Sequence, residues 1–157
     1  MKITLLLNGK TDKEFVKEAI ELYQGRLKKY IPFDIKVIPP PKKTQNLSPE
    51  KYMEKEARLI EKYLQPSDYV VLLDEKGKSM NSVKFAEYLQ EKMNRGLKNL
   101  VFVAGGHFGF HKSLKQKAHG MVSLSPMTFS HQVIRVMFME QLYRAMTILN
   151  NEPYHNE

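Results

Sequence analysis

The stretch "NLVFVAGG" (residues 99–106) places a run of apolar residues directly before a glycine pair. A short apolar run that ends at glycines is typical of a strand buried on both faces, as strands are in parallel sheets. Segments whose apolar residues have helical spacing separate this run from the other predicted strands along the chain. This alternation predicts an α/β fold with a mostly parallel sheet. The other predicted strands are "KITLLLN" (2–8), "FDIKVIP" (33–39), "DYVVLLD" (68–74) and "GMVSLS" (120–125).

The predicted helices occupy the segments between these strands and the end of the chain. Thr11 or Asp12 is expected to cap the first, with Phe15, Ala19, Leu22 and Leu27 on its inner face. Ser48 followed by Pro49 predicts the start of the second. The other predicted helices are 81–95, a short one at 111–118 and a long one at 131–149.

The composition predicts one soluble domain that covers residues 1–157. Hydrophobic residues make up 42% of the chain, enough for a core, and no apolar run approaches the length of a membrane span. The chain has no cysteine, which excludes disulfides and thiolate chemistry. A cytoplasmic protein is the default expectation.

The positive charge is concentrated in the C-terminal half. The net charge is +8, and there is no Asp or Glu between Glu91 and Glu140. Such a span either forms an ordinary solvated surface or attracts a polyanion, and its length favours a nucleic-acid partner.

Three predicted strands end in unusual loops, and ligands of parallel sheets bind at the carboxyl ends of strands. These loops contain "LLDEKGKS" (72–79), "AGGHFGFHK" (104–112) and "LSPMTFSH" (124–131). The glycine loop lacks the spacing and the following acid of a dinucleotide fingerprint, and Leu72 stands where a P-loop needs glycine. Gly105 and Gly106 therefore form either a tight turn or a backbone surface for another ligand.

The third loop mixes apolar and hydroxyl side chains. Leu124, Met127 and Phe129 are suited to cover the faces of a flat heterocycle, while the backbone offers hydrogen-bonding groups. This favours a nucleoside over a phosphate or a metal. The alternative is a simple helix start, with Ser130 as cap.

Arg135 interrupts the apolar part of the last helix. Helical spacing places it in line with Met139, Leu142 and Met146, opposite a polar stripe that includes Glu140 and Arg144. A helix this apolar indicates a second chain as its cover. The arginine then meets either a structural partner or a group at a subunit-interface site.

Conventional catalytic patterns are missing from the sequence. His107 and His111 have helical metal-ligand spacing but no third ligand, so we predict no metal site. A reaction that depends on positioning fits these loops better than hydrolysis does.

Five segments in order make this sequence similar to a known family: "MKITLLLNGK", "VVLLDEKGKSMNS", "FVAGGHFGFH", "LSPMTFSHQVIRVMFMEQLYRA" and "EPYHNE". They resemble the ribosomal large-subunit pseudouridine N3-methyltransferases, of the SPOUT class of S-adenosylmethionine-dependent enzymes. The resemblance covers essentially the whole chain. It implies methylation of a pseudouridine in ribosomal RNA, on the assembled ribosome. It also implies a homodimer and an α/β fold whose C-terminal part forms a deep trefoil knot.

The resemblance also assigns residues to the site. It implies that S-adenosylmethionine binds at Leu73, Gly105, Leu124, Ser125, Pro126, Met127, Thr128 and Phe129. Family members often have Pro at the position of Ser130, and small or polar residues where His107 and Phe108 stand on the expected substrate side.

Methylation of N3 requires that its proton leave. Arg135 is the predicted stabiliser of negative charge on the base carbonyls, and Tyr154 and His155 are the predicted base contacts. The alternative from another class is a non-catalytic basic module that binds RNA or the ribosome. A nicotinamide-dependent enzyme is disfavoured by the missing fingerprint.

Overall fold

The computed structural model describes residues 1–156, in which five strands form one all-parallel sheet with helices on both faces. The strand order is β2-β1-β4-β3-β5. The predicted α/β fold with a parallel sheet is confirmed. The elements are β1 (Lys2–Asn8), α1 (Glu14–Leu27), β2 (Phe33–Ile38), α2 (Pro49–Tyr63), β3 (Tyr69–Ser79), α3 (Ser82–Asn94), β4 (Asn99–Ala104), α4 (Lys112–Lys117), β5 (Gly120–Ser123) and α5 (Val133–Leu149).

The core lies on the two faces of the sheet, because successive side chains of a strand point in opposite directions. In β1, Ile3, Leu5 and Leu7 pack with α1, α3 and α5, whereas Leu6 packs with α2 and α4. Phe102 and Phe138 join β4 to α5, with their ring centroids 4.8 Å apart. The sheet is therefore covered on both sides, as parallel sheets require.

Helix starts were predicted with mixed success. Ser48 caps α2 as expected, and its hydroxyl accepts the backbone N–H of Lys51 at 3.3 Å. The predicted cap of α1 is wrong, because that helix begins at Glu14 without a side-chain cap. The Thr11 hydroxyl instead accepts a hydrogen bond from Arg135 at 2.9 Å.

The inner face of α1 also differs from the prediction. Val16, Ile20 and Leu27 are buried, whereas Phe15 and Leu22 are 64% and 51% exposed. Phe15 and Leu22 are seven residues apart, two helical turns, so they share one outward face. The helix thus has a second apolar face that the rest of the chain leaves uncovered.

The predicted face of α5 is confirmed, but its cover is not the one expected. Arg135, Met139, Leu142 and Met146 are all buried together. They are covered by other parts of the same chain, so burial of this face requires no second subunit. None of the helices described between residues 1 and 156 is both long and apolar enough to span a bilayer.

Strand β3 is longer than predicted and continues along β5 after an irregularity. Leu73 and Lys78 both pair with Val122, so the intervening residues bulge out of the sheet. A Cβ atom at Gly77 would lie 2.6 Å from the Met121 backbone and 2.7 Å from the Val122 backbone. Only glycine allows this approach of the two chains.

Gly77→Ala is expected to lower the free energy of unfolding by about 2 kcal/mol, because backbone atoms cannot yield to the added methyl group. Gly25 is the matched control, since nothing lies within 4 Å of a Cβ there. Gly25→Ala in α1 should be neutral or stabilise by about 0.5 kcal/mol. Urea denaturation measures both, and equal effects of the two substitutions would contradict this account of Gly77.

Candidate active site

A cavity of about 750 Å³ lies beyond the carboxyl ends of β3, β4 and β5. Its size is within the range of small-molecule sites. Three chain segments form its walls, and they are the three strand exits that the sequence singled out. The lining includes Leu73 to Lys76, Gly105 to Phe110, Leu124, Ser125, Met127 to His131, and also Met53, Lys115 and Ile134.

Most residues predicted to bind the cofactor line this cavity. Leu73 and Gly105 do so from β3 and the glycine loop, and the last loop contributes Leu124, Ser125, Met127, Thr128 and Phe129. Pro126 is exposed and is not part of the lining. The structure thus brings together nearly the whole predicted set.

Hydroxyl groups hold the last loop in shape. Ser123 donates to the Ser125 carbonyl at 2.9 Å, and the Ser125 hydroxyl accepts the Met127 N–H at 2.9 Å. Ser130 accepts the Val133 N–H at 3.2 Å but is not the predicted cap residue, because α5 begins at Val133 and its cap position is Gln132. Met127 and Phe129 of this loop are exposed and line the cavity.

Charged side chains stand on the β3 side of the cavity. Asp74 lies 3.0 Å from the Lys115 ammonium and accepts the Lys76 N–H at 2.9 Å. The Thr128 hydroxyl donates to Glu75 at 2.5 Å, which joins the β3 rim of the cavity to the last loop. Asp74 and Glu75 belong to the first of the three loops noted in the sequence, but the sequence assigned them no role.

Aromatic rings form the opposite part of the mouth. Phe108 is 46% exposed, its ring lies 5.3 Å from that of Tyr52 in edge contact, and His107 lies 5.0 Å from it. His107 and Phe108 both line the cavity. An exposed ring supported from behind is a surface on which a nucleotide base can stack.

The glycine loop owes its glycines to close contacts and to backbone shape. A Cβ atom at Gly105 would lie 3.1 Å from the Phe110 ring, and one at Gly106 would lie 2.5 Å from the Glu56 carboxylate. Gly109 has a φ of +81°, which L side chains rarely adopt. The loop is therefore more than a tight turn, because its backbone forms part of the cavity wall.

Arg135 is 1% exposed and does not line the cavity. It donates to the Asn8 carbonyl at 2.8 Å, to Thr11 at 2.9 Å and to the His131 carbonyl at 3.0 Å. Burial lowers its pKa, and the nearby Asp12 carboxylate offsets part of that effect. Of the alternatives open from the sequence, this geometry favours a structural partner.

Tyr154 and His155 pack against the polar side of α5 and do not line the cavity of their own chain. The Tyr154 hydroxyl donates to Glu140 at 3.2 Å, and Arg144 donates to His155 Nδ1 at 3.3 Å. Burial, together with Tyr23 and Glu140, raises the pKa of Tyr154 to about 12. Tyr154 is therefore a hydrogen-bond donor at neutral pH.

The fold and the cavity agree with one class of enzymes. A sequence model described as "Predicted SPOUT methyltransferase" matches residues 1–155. The chain belongs to this family and is a methyltransferase.

Full-length relatives make the match more specific. Proteins named Ribosomal RNA large subunit methyltransferase H are 56% identical in Parabacteroides distasonis and 53% identical in Bacteroides thetaiotaomicron, over 157 residues and 100% of both chains. The protein of that name in Christiangramia forsetii is 51% identical over 156 residues, 99% of each chain.

Arg135→Ala is expected to lower the free energy of unfolding by about 3 kcal/mol or more, because it leaves buried carbonyls unpaired and opens a cavity. Arg58→Ala is the control, since Arg58 forms only an exposed ion pair with Glu54 and should cost about 0.5 kcal/mol or less. Chemical denaturation distinguishes them. A loss below about 1 kcal/mol for Arg135→Ala would contradict the structural role.

Proposed function

We propose that this chain transfers a methyl group from S-adenosylmethionine to N3 of a pseudouridine in large-subunit ribosomal RNA, on the assembled ribosome. The observation that carries the proposal is the cavity formed by the three strand exits in a SPOUT methyltransferase. The names of the full-length relatives support the ribosomal RNA substrate. The proposal includes a single-domain enzyme, residues 1–157, that acts in the cytoplasm.

The residues of the cavity fit S-adenosylmethionine. A volume of about 750 Å³ accommodates a nucleoside with its amino-acid tail, and the walls combine apolar side chains with exposed backbone. When bound, this cofactor supplies a methyl group on a positively charged sulfur. We assign its binding to Leu73, Gly105, Leu124, Ser125, Pro126, Met127, Thr128 and Phe129.

The remaining task of the chain is to hold and polarise the base. Neutral N3 of a uracil ring is a poor nucleophile, so donors at the ring carbonyls help its proton leave. The Tyr154 hydroxyl would exchange Glu140 for a base carbonyl, and His155 contacts Arg144 through Nδ1, so that its Nε2 would face the base. Both are suited to contact the base. Arg135 contributes by fixing the start of α5 rather than by touching the base, since its donors bind its own chain.

A second copy of the chain would place these tail residues at an active site. The outward face of α1, with Phe15 and Leu22, supports a homodimer, because exposed apolar surface of this kind marks an interface. Val133 and Met137 on α5 are also only half-buried. The tail of one protomer then serves the cavity of the other.

The trefoil knot expected from the resemblance is part of this proposal. The close approach of Gly77, within β3, to the backbone of β5 supports it, because the two chain segments pack there with no room for a side chain. Such threading is rare among proteins.

Isothermal titration with S-adenosylmethionine and transfer of a labelled methyl group test the function. We expect micromolar or tighter cofactor binding, and label in 3-methylpseudouridine after nucleoside analysis of assembled ribosomes. Free ribosomal RNA and isolated large subunits should accept less label than assembled ribosomes. Gly105→Val should weaken cofactor binding by about tenfold or more through collision with Phe110, whereas Gly25→Ala should not. Ribosome binding without cofactor binding would instead support the non-catalytic module.

Complementation tests the shared active site. Gly105→Val in one chain and Tyr154→Ala with His155→Ala in the other should each abolish activity in homodimers. Equal mixing makes about half of the dimers mixed, each with one intact site, so activity should return to about a quarter of wild type. Mixed dimers that form without any recovery would refute the exchange of tails.

A further inference from the structure

A small buried polar cluster lies beneath the glycine loop, where β1 and β4 end side by side. Leu7 pairs with Ala104, the last residue of β4, so Asn8 at the end of β1 is level with Gly105, which follows β4. The chain connects β1 outward to β2, whereas β4 connects to elements on the other side of the sheet. Such a change of direction is where parallel sheets bind ligands.

Glu56 of α2 is the charged member of this cluster. Its residue is 6% exposed, and its two carboxylate oxygens lie 2.5 and 2.9 Å from the position of a Cβ atom at Gly106. The carboxylate lies directly against the Gly106 backbone, whose N–H lowers the pKa of Glu56. Gly106 has an ordinary φ, so the neighbouring carboxylate, rather than backbone strain, explains the glycine.

Asn8 is the neutral member of the cluster. It is 7% exposed, and its side-chain nitrogen and oxygen have no hydrogen-bond partner among the described residues. Its amide lies close enough to Glu56 to lower the pKa of that carboxyl, although the two groups are not aligned for a hydrogen bond. The Asn8 carbonyl also accepts from Arg135, so the cluster links α5, β1, α2 and the glycine loop.

Keeping a carboxyl group here disfavours folding at neutral pH. Burial raises the pKa of Glu56 to about 7, and Gly106 and Asn8 offset only part of the shift. None of the causes is a charged side chain, and Tyr52, on the same helix, has a pKa raised by burial and by the Glu56 charge. A group whose pKa is higher in the folded than in the unfolded state destabilises the fold when it is ionised. Folding alone would therefore favour a neutral residue.

We propose that Glu56 is a positioning residue for methyl transfer, which holds Gly106 so that the glycine loop forms its wall of the cofactor cavity. Gly105, His107 and Phe108, the neighbours of Gly106, all line that cavity. Movement at Gly106 therefore moves the wall. The inference rests on the proposed function for the identity of the cofactor. The contact between Glu56 and Gly106 is independent of that function.

Two measurements on three variants test the role. Amide hydrogen exchange at Gly106, followed by NMR without cofactor, reports the contact, and titration with S-adenosylmethionine reports the cavity. Glu56→Ala should speed exchange at Gly106 and weaken cofactor binding, each by about tenfold, because the carboxylate that lies against the Gly106 backbone is lost. Glu56→Gln keeps an acceptor oxygen and should stay within about threefold of wild type. Glu54→Gln, on the outer side of the same helix, should change neither quantity.

A double substitution separates positioning from general damage. Gly106→Ala pushes the carboxylate away from the loop, so it removes the same contact as Glu56→Ala. The two changes together should then weaken cofactor binding no more than the worse single change. Additive losses would overturn the proposal, as would unchanged exchange and affinity in Glu56→Ala.

The pH dependence gives an independent readout. The Gly106 N–H favours the ionised carboxylate over the protonated acid, so wild-type affinity relative to Glu56→Gln should fall as the pH drops through about 7. His107 and His131 also line the cavity, but both proteins contain them, so their contribution is the same in both and cancels in the ratio. A ratio of wild-type to Glu56→Gln affinity that does not change with pH would contradict the positioning role of Glu56. If wild type bound no S-adenosylmethionine, the proposed function would fail, and exchange at Gly106 would alone decide whether Glu56 holds the loop.

Discussion

The buried guanidinium of Arg135 joins the first turn of α5 to the end of β1 and to the segment before α1. Because β1 lies inside the sheet, these bonds fix α5 relative to strands on both sides of it. The loop between β5 and α5 then has two fixed ends and must cross the carboxyl edge of the sheet. It therefore lies opposite the glycine loop that follows β4, and the cavity forms between the two.

The sequence predicted the features that depend on local chemistry. Apolar runs gave the strands, and the Ser48-Pro49 pair gave the start of α2, since each signal lies within a few residues. The failures involve partners distant in the sequence. Thr11 resembles a helix cap in the sequence, but its hydroxyl accepts a hydrogen bond from Arg135. In α1, helical spacing cannot show which of the two apolar faces is buried.

In the candidate site, too, the features set by local sequence were predicted and those set by distant partners were not. Loop composition and the family resemblance predicted nearly all of the cavity lining, because each strand of a parallel sheet delivers its exit loop to one edge. Arg135 was assigned to the right face of α5 but to the wrong cover, since spacing shows that a face is buried and not what buries it. Glu56 was missed because, within an otherwise ordinary amphipathic helix, only contact with Gly106 distinguishes it from its neighbours.

The bond between Thr128 and Glu75 is a weak link between two rims of the cavity. It is a single contact between two exposed side chains that bridges the rims. Parting them costs about 1 to 2 kcal/mol, far less than unfolding a strand or a helix turn. The two rims can therefore part without global unfolding. A spent ligand can leave while the sheet and α5 stay folded, and turnover does not have to compete with the stability of the chain.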